Sequence, residues 1–169
     1  MKTKARLFFG SLALLLFCSA LPAAPNLWLT VDELSDQATY IVEGRVLDVR
    51  SEWNDDRTQI YTYVKFAVAR SLKDQFPLPE ITFRLLGGEI LEEEIGMYIP
   101  ELPVFRAQDE MLLFLDGNPQ SFFPFIGHTQ GVYYYTTDPA TAQEVAINQE
   151  DVSLLRTELI TRVREAVQR

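Results

Sequence analysis

Between Ile60 and Ala69 the chain alternates strictly. Ile60, Thr62, Val64, Phe66 and Val68 fall on one side, and Tyr61, Tyr63, Lys65, Ala67 and Ala69 on the other. A two-residue period marks a half-buried strand, because successive side chains leave the pleat on opposite faces. The same reading predicts an earlier strand over Tyr40 to Arg50, with Val42, Gly44 and Val46 sharing a face. Gly44 within it points to a bulge, a sharp bend or a close backbone approach. A third strand carries Ile81, Phe83 and Leu85 and ends at Gly87-Gly88. Met111 to Leu115 is a continuous apolar run of strand length, predicting burial on both faces. Phe125 to Thr136 reads as a strand pair or one bent strand, and Glu144 to Ile147 as a short last strand.

Turn chemistry separates these segments, at Trp53-Asn54-Asp55-Asp56-Arg57 and at Asp116-Gly117-Asn118-Pro119. Glu89 to Gln108 is the least regular stretch and reads as a long excursion or a loop with one short strand. Helical spacing occurs twice. Thr30 caps a short helix through Ala38, with Asp32 and Glu33 in its first turn and Val31, Leu34 and Ala38 on one face. Near the end, Val152, Leu155, Leu159, Val163 and Ala166 recur at a helical period, predicting a helix over 149–168. No crossover helices separate the strands, so the pattern favours an antiparallel over a parallel sheet. The expected fold is mainly β: a small antiparallel barrel, OB-like, of five to six strands with a short N-terminal and a long C-terminal helix.

The first residues have a different character. Lys2, Lys4 and Arg6 precede an apolar run from Leu7 to Phe17, and small residues follow at Cys18, Ser19, Ala20, Ala23 and Ala24. This is the layout of a secretory signal peptide. The run is shorter than the roughly 20 residues that span a bilayer. The expectation is a leader over 1–20, with cleavage between 20 and 24, and a single domain over 26–169. That domain would have an extracytoplasmic location, periplasmic or secreted, and no membrane span once the leader is gone. Phe17 is large where a lipid-attachment cysteine is normally preceded by a small residue, so Cys18 is read as part of the leader. Cleavage after Ala20 leaves no cysteine, so stability must come from the core.

The composition, 47% hydrophobic and 23% charged, is that of a globular protein. Fifteen Lys and Arg stand against 24 Asp and Glu, net −9. Three of the cations lie in the leader, so the remainder carries net −12. Such a chain is repelled by phosphate backbones and anionic lipid, which excludes nucleic acid as the expected partner.

A set of short motifs adds a resemblance. Ala38-Thr39-Tyr40-Ile41-Val42-Glu43-Gly44-Arg45-Val46 is similar to the opening of a family of exported bacterial domains of unassigned function. Tyr61 to Phe66, Ser71 to Asp74, Ile81 to Phe83, Gly87-Gly88, Asp109 to Leu115 and Gly127-His128-Thr129-Gln130-Gly131 continue it, spanning residues 38 to 131. The layout also resembles the netrin-like and metalloprotease-inhibitor barrels built on the OB fold. Those inhibitors chelate zinc through an N-terminal cysteine that this chain lacks, so the resemblance implies a barrel and an exported location but not inhibition.

Chemistry-bearing constellations are sparse. One histidine, His128, and no cysteine beyond residue 18 give no zinc set. Glu92-Glu93-Glu94 and Asn54-Asp55-Asp56 lack calcium-loop spacing. No Gly-x-Ser-x-Gly elbow supports a triad through His128, and Gly87-Gly88 lacks the lysine of a phosphate loop. No metal, cofactor or catalytic residue is expected. The distinctive loops are Gly87-Gly88 and Gly127 to Gly131. Their glycines serve sharp turns, and Gly87, Gly88, Gly127, His128, Gln130 and Gly131 are the candidate contact residues, with aromatics around Phe122, Phe123, Phe125 and Tyr133 to Tyr135 nearby. The leading expectation is an exported, non-enzymatic module that binds a protein or peptide. The rivals are a hydrolase working through acidic residues, which needs two carboxyls in one cleft, and a structural envelope component.

Overall fold

The computed structural model describes residues 28–117 and 122–169. The leader assigned to residues 1–20 lies outside them. Thr30 opens the first helix, α1 (Val31–Gln37), through a reciprocal capping box. Its hydroxyl accepts from Glu33 N at 3.2 Å, and its own backbone N donates to Glu33 Oε2 at 2.8 Å. Two donors that the helix start would leave unpaired are thereby satisfied. Val31, Leu34 and Ala38 are buried, as their spacing predicts.

Two 14-residue strands, β1 (Tyr40–Trp53) and β2 (Ile60–Lys73), form a long antiparallel hairpin. Asn54 closes it, its side-chain oxygen accepting from Thr58 N and Gln59 N. β3 (Glu80–Leu86) pairs with β2, and β6 (Glu110–Leu115) with the other edge of β1. Between them, β4 (Gly88–Ile90) and β5 (Ile95–Met97) make a separate two-stranded hairpin. β7 (Val132–Thr137), β8 (Glu144–Ile147) and β9 (Ser153–Leu155) extend the main sheet, and α2 (Arg156–Val167) ends the chain. The strand order is β3-β2-β1-β6-β7-β8-β9, antiparallel throughout. No helix among the described residues is long and apolar enough to cross a membrane.

The mainly β, antiparallel architecture with two helices stands, but five to six strands in a barrel does not describe this sheet. It has seven strands in an open order, with β3 and β9 at its ends. Two elements account for much of the difference. The helix expected over 149–168 begins only at Arg156, because the Asn148 side chain accepts from Glu150 N and Val152 N and Asp151 takes a positive φ of 59°. That turn sends Ser153–Leu155 along β8 as a strand. Phe125 to Thr136 is likewise neither a strand pair nor one bent strand. Gly127 and His128 take φ of 64° and 57°, a 3-10 turn covers His128–Gly131, and only Val132 onwards is extended.

Each face of the sheet has its own core. Val42, Val64, Phe66, Phe83, Leu113 and Val132 face one way, roofed by Phe76, Phe105 and Phe125 from the loops. Ile41, Leu112, Phe114 and Tyr133 face the helices, meeting Leu34 of α1 and Leu159 and Val163 of α2. β6 is thus buried on both faces, which is why its five apolar residues run without interruption. Gly44 is both bulge and close approach. The register shifts between Glu43 and Gly44, and a Cβ at Gly44 would lie 1.9 Å from Ala67 O.

Candidate functional site

After β3 the chain must turn back over the β1–β2 hairpin, and Gly87 and Gly88 make the turn with φ of 90° and 137°. A Cβ at Gly87 would lie 2.6 Å from Met97 O, and one at Gly88 2.2 Å from Thr62 Oγ1. Gly87 N donates to Ile60 O at 2.7 Å, and Gly87 O accepts from Thr62 Oγ1 at 2.7 Å. Ser51 Oγ lies 3.0 Å from Thr62 Oγ1 and accepts from Glu89 N. These bonds pin the root of the β4–β5 hairpin to the sheet. Its tip folds as a 3-10 turn over Leu91–Glu93, and Glu94 reverses it in the left-handed region.

The hairpin, the β1–β3 surface and the segment from Tyr98 to Phe105 enclose a hollow of about 680 Å³. Val49, Leu85, Ile99 and Phe105 form apolar parts of its wall. Large apolar side chains on its lining are left in water: Tyr98 is 86% exposed, Leu91 72% and Val104 54%. Large apolar side chains left in water beside a concave surface mark a contact site rather than ordinary surface scatter. Burial raises the pKa of Tyr134, and a hydrogen bond to the Val104 backbone only partly opposes it.

Gly127, His128 and Gln130 lie elsewhere, on a second hollow of about 480 Å³ that Trp28, Glu101 and Glu150 also line. The six candidate contact residues therefore do not form one surface. Several are committed to the fold. Gln130 Oε1 accepts from Leu29 N at 2.7 Å. The His128 ring packs on Phe123 at 5.1 Å between centroids. A Cβ at Gly131 would lie 2.1 Å from Ile126 O. The nearby aromatics are also mostly structural: Phe125 and Tyr133 are buried, and exposed Phe122 packs edge-on to Tyr61 beneath Arg84. Glu101 lines this second hollow and Leu102 to Val104 the first, and Gln149, with its amide oriented to suit its neighbours, fastens that segment by donating to Leu102 O (3.2 Å) and accepting from Val104 N (3.0 Å).

A third hollow, of about 550 Å³, lies over Glu43 and Gly44 and is lined by Arg45, Arg70, Glu110 and Arg156. Glu43 is only 4% exposed. Its Oε1 accepts from Tyr135 Oη at 2.6 Å and from Arg156 at 3.5 Å. Its Oε2 accepts from Arg70 Nε at 2.7 Å and from Arg70 Nη2. Arg156 also stacks over the Tyr135 ring, 4.1 Å from its centroid, and pairs with Glu144 and Glu110. Burial opposes the charge on Arg156, but Tyr135, Glu43, Glu144 and Glu110 outweigh it and raise its pKa. Burial also raises the pKa of Tyr135, reinforced by its bond to Glu43.

Here two carboxyls, Glu43 and Glu110, do share one cleft. Arg156 stands between them, at 3.5 and 3.8 Å, and both Glu43 oxygens are already taken by donors. A carboxylate so held is a buried group bonded at both oxygens, tied to the strands and the helix around it. Sequence reasoning did not single out Glu43. A lone glutamate among alternating strand residues reads as solvent-facing, and its partners are 27, 92 and 113 residues away.

Among the described residues no three His, Cys, Asp or Glu side chains gather as a metal-binding group. No protein-family model, no curated protein and no solved structure matches this chain.

Proposed function

We propose that this protein is an exported, non-enzymatic binding module that takes an extended stretch of polypeptide into the hollow beneath the β4–β5 hairpin. The observation that carries this reading is the set of exposed apolar side chains, Leu91, Tyr98 and Val104, that line an apolar concavity. Apolar anchors beside a rigid cleft suit a partner's side chains, since desolvated aromatic and aliphatic contacts supply most interface energy. An extended partner suits the backbone. Among the described residues β5 pairs only with β4, so its outer edge is free to accept a strand. Gly96 adds no side chain there, and a Cβ at its position would meet nothing nearer than Gly88 O at 3.8 Å.

The export assignment rests on the leader-like residues 1–20 and the similarity to exported bacterial domains. Within the open sheet, a partial OB-like closure of the β3-β2-β1-β6 part belongs to this reading, and two isolated bridges support it. Phe125 bridges to Leu115 at the end of β6, and Phe122 bridges to Arg84 of β3. The segment between them would draw the two strands together around the core beneath β1 and β2.

The test is a display library of random linear peptides panned on the purified protein, then on Leu91→Ser and Tyr98→Ser. The reading expects enriched apolar motifs whose binding falls about tenfold or more in either variant, as for loss of a central anchor. Motifs that bind both variants undiminished, or no enrichment, would refute it.

A further inference from the structure

Resting on the groove reading above, we infer that the partner is cationic: an apolar polypeptide segment carrying Lys or Arg between its anchoring side chains. From Leu85 to Phe105 the chain has five glutamates and neither lysine nor arginine. One of the five, Glu93, is occupied. It accepts from Arg57 at 2.6 Å and from the Trp53 indole at 3.3 Å. The other four are Glu89 on β4, Glu92 and Glu94 at the hairpin tip, and Glu101 beside the groove-lining Leu102. All four are exposed, and among the described residues none has a cationic partner.

The lining of the groove gives this weight. Acids elsewhere are in part paired, Glu80 with Lys65, Glu158 with Arg162 and Asp32 with Arg169, whereas the groove is lined by Glu89 and by no lysine or arginine. Around the groove the apolar anchors and the unpaired carboxylates belong to the same short segments. Like charges held together repel one another, and a cation placed among them relieves that repulsion. Beside a low-dielectric apolar wall the attraction is stronger than on open surface. An anionic or phosphorylated segment would meet the opposite penalty.

The probes are three dye-labelled extended peptides with the same Val, Leu and Tyr positions, differing only in Lys, Gln or Glu at the intervening ones. Fluorescence anisotropy with the full-length purified protein reads their affinities. The inference expects the Lys peptide to bind about tenfold tighter than the Gln peptide and the Glu peptide weakest, with the gap collapsing in about 0.5 M salt. The combined variant E89Q/E92Q/E94Q/E101Q should bring the Lys peptide to the level of the Gln peptide and leave the Gln peptide unchanged. A control, E158Q/E165Q on α2, should alter neither. Equal binding of Lys and Gln peptides, both lost in Leu91→Ser, would overturn the cationic partner while leaving the groove intact. A Lys preference that survives the groove variant, or falls equally in the control, would mean the protein's overall charge is responsible and would also overturn it. Failure of all three peptides to bind, or binding indifferent to Leu91→Ser and Tyr98→Ser, would remove the groove itself.

Discussion

The hydroxyl of Tyr135 donates to Oε1 of Glu43 at 2.6 Å, linking β7 to the first half of β1 with β6 lying between them. Arg70 of β2 and Arg156, the first residue of α2, close on the same carboxylate. A single buried charge thereby joins three strands and the start of the terminal helix. Glu43→Gln keeps the shape but loses the charge and one acceptor. It should destabilise the protein by about 1–3 kcal/mol, because Arg70 and Arg156 lose their common partner. Both arginines reach solvent, which limits the cost. Urea unfolding measures it, and a neutral result would make the network ornamental.

The same region sets the alkaline limit. Burial raises the pKa of Tyr133, Tyr134 and Tyr135 above the ordinary 10.0. The folded state then keeps these protons at pH values where the unfolded chain has lost them, so stability must fall as pH rises beyond about 10. Unfolding free energies measured from pH 8 upwards should be level at first and then decline. Tyr135→Phe should flatten the decline while lowering stability near neutrality through the lost bond to Glu43.

Gly44→Ala tests the close approach of β1 and β2. The new methyl would meet Ala67 O at 1.9 Å and the Phe66 ring at 2.7 Å, both in the core of the hairpin. Overpacking of this kind costs about 1–3 kcal/mol or more. Thermal unfolding should show a clear fall in Tm, whereas alanine at Gly96, where the nearest atom is 3.8 Å away, should change little.

Gln130 is a fastener rather than a contact residue, since it holds Leu29 N just ahead of α1. Gln130→Ala should cost about 1 kcal/mol and speed hydrogen exchange at Leu29, leaving peptide binding at the hairpin groove intact. Loss of that binding would move the interface towards the second hollow.

Much of the fold was legible because its signals are local. The alternation from Ile60 placed β2, the apolar run from Met111 placed β6, and Thr30 with Glu33 marked the start of α1. Signals decided by tertiary partners misled. Val152 and Leu155 share a helical period with Leu159, yet the turn at Asn148 and pairing with β8 put Ser153–Leu155 into the sheet. Tyr40 to Arg50 underestimated β1, which runs on to Trp53 opposite Ile60. Of the candidate site, Gly87 and Gly88 were visible as glycines demanding a special backbone. The groove around them was not, because it forms only when an irregular segment folds over the sheet.

The central claim concerns the hairpin groove, and hydrogen–deuterium exchange tests it most directly. A linear peptide selected on the protein is added at saturation and backbone protection is mapped along the chain. The account predicts slowed exchange confined to residues 86–105, strongest at the outer edge of β5 over Ile95–Met97, and no change around Glu43. Protection centred on residues 127–131 or on the Glu43 cleft, with 86–105 unaffected, would contradict it.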